Sequence, residues 1–514
     1  MSLWKQIIAL LVIALTACNS ASQPTSPAGS ATPETEGTLE ALETATDPPP
    51  PTPRPGSTGT ASIPVASVTP TPLSPTPTSE APTLPIPQYI ISATLDYPLR
   101  RLSVQQEIIY PNVSQDIISD LILVVESNRF PGAFKVRELS YADGSEVYGY
   151  RVNGIQMRVP LVEPLLAGGT LRLTLNYHLN LPKITLSEVI GPNPFGYTSR
   201  QLNVVDWYPF VPPRTSDGGW LVHDPWYYGE HLVYPVADID VRVRLLNAPE
   251  RLQIAASALP KMEGEWRRYR LERARNLVMS MSPDYVVLEE TVGEVKVLGY
   301  AFPTDVKAGE AAFQATVEAL QLYSELYGDY PWESLSLVEA DFLHGMEYQG
   351  LHYLSRGFYN LYTGTPRDYL TAIAAHETAH QWWYGLVGSD QALEPWLDEA
   401  LCTYSERLFY ENVHPEDLDW WWEARVDFYR PEGHVNTTLY DTGGYRPYVN
   451  AVYLRGGLFF EDLRALMGDE AFFRFLKDYA QKNSGKLATS TGFFSLLADY
   501  TEENLSGLLE EYFK

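Results

Sequence analysis

His376-Glu377-Thr378-Ala379-His380 places two imidazoles and a carboxylate within five residues. On a helix, positions four apart project from one face one turn apart, so His376 and His380 can reach a single tetrahedral Zn2+ while Glu377 stays off the metal. A hydrolytic zinc site takes three protein ligands and keeps its fourth position for water, so a third ligand must come from elsewhere. Glu399 is the candidate. Eighteen residues separate it from His380, and Gly385, Gly388 and Pro395 among them let one helix end, the chain turn back, and a second helix present the carboxylate. With nine histidines in 514 residues, the five-residue motif alone would arise by chance in roughly one chain in a hundred. The downstream Trp396-Leu397-Asp398-Glu399-Ala400 is what separates a ligand set from an amphipathic helix with satisfied histidines. The chemistry implied is peptide-bond hydrolysis by metal-activated water: His376, His380 and Glu399 hold one Zn2+, and Glu377 acts as base and then as acid. Asp398 and Glu406 are either partners for the histidines' second ring nitrogens or plain surface carboxylates.

The segment HETAHQWWYGLVGSDQALEPWLDEALCTYSE resembles the zinc region of the membrane alanyl aminopeptidase family, gluzincins whose third ligand is a glutamate on the following helix. The eighteen-residue gap fits that family, whereas thermolysin-like endopeptidases typically have a gap longer by one. Upstream, His344-Gly345-Met346-Glu347-Tyr348 is similar to the family's Gly-Ala-Met-Glu-Asn signature; the Gly-Met-Glu core is in register as Gly345, Met346 and Glu347, and three of the five positions depart or vary, with His344 for the first Gly, Gly345 for Ala and Tyr348 for the final Asn. The resemblance implies that Glu347 binds the substrate's amine. Physically, an aminopeptidase must hold a protonated α-amine at a fixed distance from the metal, and a carboxylate at the cleft edge does so by a charge-assisted hydrogen bond. Leu335 to Glu339 alternates as a half-buried strand, which puts Glu347 just beyond a strand end. Taken alone, Glu347 would read as a solvated loop residue. Tyr453, in Tyr453-Leu454-Arg455-Gly456, is similar to the family's Tyr-x-Lys-Gly, with Arg455 in place of lysine. The resemblance implies that its hydroxyl stabilises the oxyanion; among 34 tyrosines, nothing else singles it out.

The amino terminus reads as an address. Lys5 precedes an apolar run from Ile7 to Leu15, and Leu15-Thr16-Ala17-Cys18 ends it with small residues before a cysteine. This looks like a bacterial lipoprotein signal (residues 1–18) with Cys18 as the lipidated residue; the run is too short to span a bilayer. Residues 19–87, rich in Pro, Thr and Ser, read as a disordered linker. The expected location is extracytoplasmic, anchored to the cell membrane through Cys18. Cys402 is then left without a disulfide partner, and a small buried residue is the simpler reading of it than a metal thiolate.

From residue 88 to 286 the apolar period is two, as in Leu171-Leu173-Leu175-Tyr177-Leu179 and Ile239-Val241-Val243-Leu245. Turn signals at Asp143-Gly144, Asn153-Gly154 and Gly168-Gly169 separate the strands, predicting an antiparallel β saddle or sandwich. From 287 to 514 the period becomes helical, first over Lys307 to Tyr327, predicting a mostly helical, thermolysin-like catalytic domain. The fold class is thus α+β and multidomain. Trp382, Trp383 and Trp420 to Trp422 read as core packing more readily than as cleft lining. A net charge of −27 argues against nucleic-acid binding. The expected activity is zinc-dependent removal of N-terminal residues from peptides with a free amino terminus. The alternatives are a zinc endopeptidase, if His344 and Tyr348 remodel the amine anchor, and a weakly catalytic peptide-binding lipoprotein.

Overall fold

The computed structural model describes residues 84–185, 194–342 and 344–514. The lipoprotein-like leader with Cys18, and the linker as far as residue 83, lie outside the described residues.

Alternation in the first half folds into three sheets among the described residues, dominated by one of seven strands. Its spatial order is Lys261–Glu263, Trp266–Ala274, Ala237–Leu246, Gln88–Asp96, Arg101–Pro111, Thr170–Asn180 and Phe134–Tyr141. The period-two residues point inward, so Tyr89, Ile91, Ala93 and Leu95 are buried with Leu173, Leu175, Tyr177 and Leu179. The sheet is not wholly antiparallel as expected. Gln88–Asp96 pairs in parallel with Ala237–Leu246, Tyr89 opposite Ile239; a pairing across some 150 residues carries no local turn signal from which sequence could read it.

A second, five-stranded sheet runs Val286–Val292, Val295–Ala301, Ser334–Ala340, Leu351–Ser355 and Met346–Tyr348. It forms the wall between two apolar cores. Leu298, Tyr300, Val338, Ala340, Leu351 and Tyr353 face the β region, while Val297, Leu335, Leu337 and Leu354 face the helices. Being covered on both faces, Ser334–Ala340 is buried along its whole length, Glu339 included, and is not the half-buried strand its Leu-Ser-Leu alternation predicts.

The helix Val306–Tyr327 packs on the motif helix Tyr369–Ala379, which in turn packs on Trp396–Val413. Asp368 caps the motif helix by accepting from Thr371 N at 2.9 Å. Small residues Ala372, Ala374, Ala375 and Ala379, all fully buried, let its neighbours close in. Trp382 and Trp383 are fully buried among Tyr323 and Tyr327 and do not line a cleft. Among the described residues, no helix is long and apolar enough to cross a membrane.

The motif helix runs into a π turn, Gln381–Leu386, and one residue of the β region collects the carbonyls left over at its end. The buried guanidinium of Arg275 donates to Tyr384 O (2.5 Å), Gly385 O (3.1 Å), Tyr234 O (2.7 Å), Leu386 O (3.3 Å) and Lys486 O (2.9 Å). Gly388 is required for room and not for its backbone freedom: a Cβ there would overlap that guanidinium. Replacing Arg275 by Met leaves these buried carbonyls unsatisfied. The Arg275→Met protein should lose about 3 kcal/mol or more of stability in denaturant unfolding, and a loss under about 1 kcal/mol would show that the carbonyls find other partners.

Candidate active site

The geometry begins with the two imidazoles. His376 and His380 stand with ring centroids 4.8 Å apart, and Glu399 Oε2 approaches His376 Nε2 to 3.1 Å and His380 Nε2 to 3.7 Å. These three side chains, all buried, bring their donor atoms within 4.8 Å of one another. Each histidine is held from behind. His376 Nδ1 donates to Glu406 Oε1 at 2.8 Å, and His380 Nδ1 to Asp398 Oδ1 at 2.7 Å. Engaged at Nδ1 by carboxylates, both imidazoles turn Nε2 toward Glu399, the atoms that would ligate a cation. Glu406 also takes two bonds of 2.8 Å from Arg425 and one of 3.0 Å from Trp421 Nε1. Burial would raise its pKa, but Arg425 and His376 hold it down to about 2. Both acids left open by sequence are therefore buried histidine partners rather than surface groups. Cys402 is buried and free, its Sγ 3.8 Å from Asp398 Oδ1.

Glu377 points its carboxylate at the backbone of Gly345, where a Cβ would overlap Oε1; its Oε2 is buried and has no protein hydrogen-bond partner. Gly345 thus leaves the Glu377 carboxylate the space it occupies here. Glu347 is not in a loop past a strand end. It sits inside the short edge strand Met346–Tyr348, opposite His352 of Leu351–Ser355. Two glutamines tie this strand to the histidines. Gln391 Nε2 donates to both Glu347 Oε1 (2.9 Å) and Asp398 Oδ2 (2.8 Å). Gln381, next after His380, donates to Tyr348 O (3.0 Å) and accepts from Gly350 N (2.8 Å), gripping the turn that carries Glu347. Tyr348 leaves the anchor alone, spending its hydroxyl on Asp206 Oδ2 at 2.8 Å.

Tyr453 lies in the π turn Asn450–Leu454 ahead of the helix Arg455–Met467. Its ring stacks on His376 at 5.9 Å and 8°, and its hydroxyl donates to Glu399. Gly456 permits this approach, since a Cβ there would overlap Ala400. Arg455 faces away, bonding Glu511.

Glu230 is the residue that sequence reasoning missed. It lies on an irregular strap of the β region, residues 221–236, which is fastened to the helical side by His223 on Asp390 (2.9 Å), Trp226 on Tyr440 (5.3 Å) and Tyr228 Oη on Thr442 O (2.9 Å). Glu230 and Glu347 line one cavity with Tyr384 and Gln391. No periodicity or motif marks such a strap. Burial, then Glu347 and Glu399, push the Glu230 carboxyl well above its usual range. Burial also raises Glu377 strongly, with Glu347 and Glu399 adding to it against the pull of His376, and it lifts Glu347 to about 7, with His380 opposing and Asp398 reinforcing. A surplus of buried carboxylates around two Nε2 lone pairs is the donor chemistry of a divalent cation site, and two nitrogens with one oxygen fit Zn2+ with a position left open.

A family model described as "Peptidase family M1 domain" matches residues 311–512, the stretch that carries all of these ligands. Residues 311–512 are thus similar to peptidase family M1 domains. Among curated relatives, endoplasmic reticulum aminopeptidase 1 of Mus musculus is 28% identical over 215 residues, 39% of this chain and 23% of its own. Aminopeptidase M1-D of Oryza sativa subsp. japonica is 24% identical over 222 residues, 40% of this chain and 25% of its own. The chain thus spans about a quarter of the length of these relatives. Among solved structures, an M1 zinc metallopeptidase from Deinococcus radiodurans superposes with a TM-score of 0.58 at 19% identity, covering 82% of this chain and 92% of that one. The shared fold therefore takes in the β region as well as residues 311–512.

Because the atoms nearest a Cβ at Gly345 all belong to Glu377, Gly345→Val, larger than the Ala that the resembled signature carries at this position, should displace that carboxylate without unseating the metal ligands. We expect kcat to fall by about 10²-fold at unchanged zinc stoichiometry, and loss of zinc in parallel would refute this division of labour.

Proposed function

We propose that this chain is a zinc-dependent aminopeptidase that trims peptides from their free amino termini while tethered outside the cell. One observation carries the reading: Gln391 bridges Glu347 to Asp398, which holds His380, so an amine anchor is locked three hydrogen bonds from a metal ligand. Bound at His376, His380 and Glu399, one Zn2+ would supply Lewis acidity for the scissile carbonyl and the attacking water. Glu347, with Glu230 across the cavity, holds the substrate ammonium by charge-assisted hydrogen bonds. Glu377, its Oε2 free, accepts the proton of the attacking water and returns it to the leaving amine. The Tyr453 hydroxyl, stacked beside His376, donates to the developing oxyanion. The strap bearing Glu230 is pinned to the helical side at His223, Trp226 and Tyr228, which favours recognition of a chain end over passage of a continuous chain.

The test compares a free-amino dipeptide amide with its N-acetylated twin, with and without chelator. Cleavage of the free form alone, lost with chelator, is the expected result; equal cleavage of both would make the enzyme an endopeptidase, and binding of peptide without cleavage would make it a capture protein. Glu377→Gln should lose 10²-fold or more in kcat while keeping zinc, whereas His380→Ala should lose zinc as well.

The tether rests on the leader's sequence, Lys5, the Ile7–Leu15 run and Leu-Thr-Ala-Cys18. In a bacterial host, wild-type chain should incorporate labelled fatty acid and sediment with membranes, and Cys18→Ser should do neither; membrane association that survives the substitution would rule out this anchor.

A further inference from the structure

The cleft is rich in carboxylates, yet every short peptide ends in one. Glu230, Glu347, Glu377 and Glu399 all surround the reacting position, so a free C-terminal carboxylate held there must be met by a cation. The arginines of the neighbourhood are nearly all committed. Arg129 is held by Glu126 and Trp226 O, Arg275 by five backbone carbonyls, and Arg425 by Glu406.

Arg446 is the exception. Its guanidinium lies 4.3 Å over the ring of Tyr429, and among the described residues it has no ion pair or hydrogen bond through its side chain. It is half-buried. It neighbours His344, whose ring lies 5.1 Å from that of Tyr445, and Tyr445 in turn faces Glu399 and Glu230. Burial, then Arg446, lower the His344 pKa to about 4, so His344 offers a hydrogen bond and no second charge. Glu347 marks the amine, Gly345 lies against Glu377, and His344, one residue further back along the chain, is within electrostatic reach of Arg446. Three residues of extended chain reach at most about 10 Å, the span of a tripeptide from amine to carboxylate.

We propose that Arg446, seated on Tyr429 beside His344, binds the α-carboxylate of a short peptide whose amine is held at Glu347, making tripeptide-sized chains with a free C-terminus the preferred substrates. The inference rests on the aminopeptidase reading, and its test separates the two. Wild-type enzyme should cleave Leu-Gly-Gly with kcat/KM about ten- to a hundredfold above that of its C-terminal amide, the range of a desolvated charge-assisted contact. The preference should shrink toward one for pentapeptides, whose carboxylate passes beyond Arg446. Arg446→Met should bring the acid-to-amide ratio close to one, and Arg446→Lys should retain part of it. A wild-type ratio near one, or a ratio that Arg446→Met leaves intact, overturns the proposal while hydrolysis of the amide keeps the aminopeptidase reading alive. If neither peptide is cleaved, that reading fails instead. Calorimetric titration into zinc-loaded Glu377→Gln protein then decides the site by itself: the acid must bind at least about tenfold tighter than the amide, and equal affinities sink it.

Discussion

The interaction on which the rest depends is the mutual repulsion of buried carboxylates. Glu347, Glu377, Asp398 and Glu399, with the half-buried Glu230, crowd one region; Arg425 is spent on Glu406, and Arg275 on carbonyls. Carboxylates taken out of water and set beside one another either take up protons or gather cations. The upward shifts of Glu230, Glu377 and Asp398 express the first response, and the dication and substrate ammonium that we propose would express the second, completing a charge balance that the protein alone leaves open.

Such a cluster stays together only if its scaffold cannot relax. The stiffness comes from side chains that serve the backbone: Gln381 grips the hairpin of Glu347, Arg275 closes the end of the motif helix, and Asp206 accepts from Tyr234 (2.7 Å) and Tyr348 (2.8 Å) to join the β region to the edge strand. Gly345, Gly388 and Gly456 serve the same end. None of the three has a positive φ; each is small because a carboxylate, a guanidinium or a neighbouring helix occupies the space of its Cβ.

What sequence could read divides along the same line. His376, Glu377, His380 and Glu399 were legible because consecutive turns of helix present them, and helical spacing is a local property. Helix Val306–Tyr327 and the strands of the large sheet were legible for the same reason. Glu347 was placed in a loop because a three-residue edge strand has too few residues to show a period. The parallel pairing of Gln88–Asp96 and the full burial of Ser334–Ala340 depend on partners far along the chain. Glu230 left no mark, since a strap held by Trp226, Tyr228 and His223 on distant residues has no repeating pattern of its own.

The seam between the two cores explains why these long-range residues matter most where chemistry is selective rather than where it is hydrolytic. The hydrolytic set of Glu377 and the metal ligands comes from two adjacent helices and could work on any amide placed beside it. Selecting a chain end requires a second wall at a fixed distance, and the five-stranded sheet provides one, because its edge strand Met346–Tyr348 is bonded on one side to Gln381 of the motif helix and on the other to Asp206 of the β region. A carboxylate on that edge cannot drift relative to His380 without breaking both ties. The selection of a chain end that we propose would therefore be written in the sheet and the strap, elements that bring no ligand to the metal.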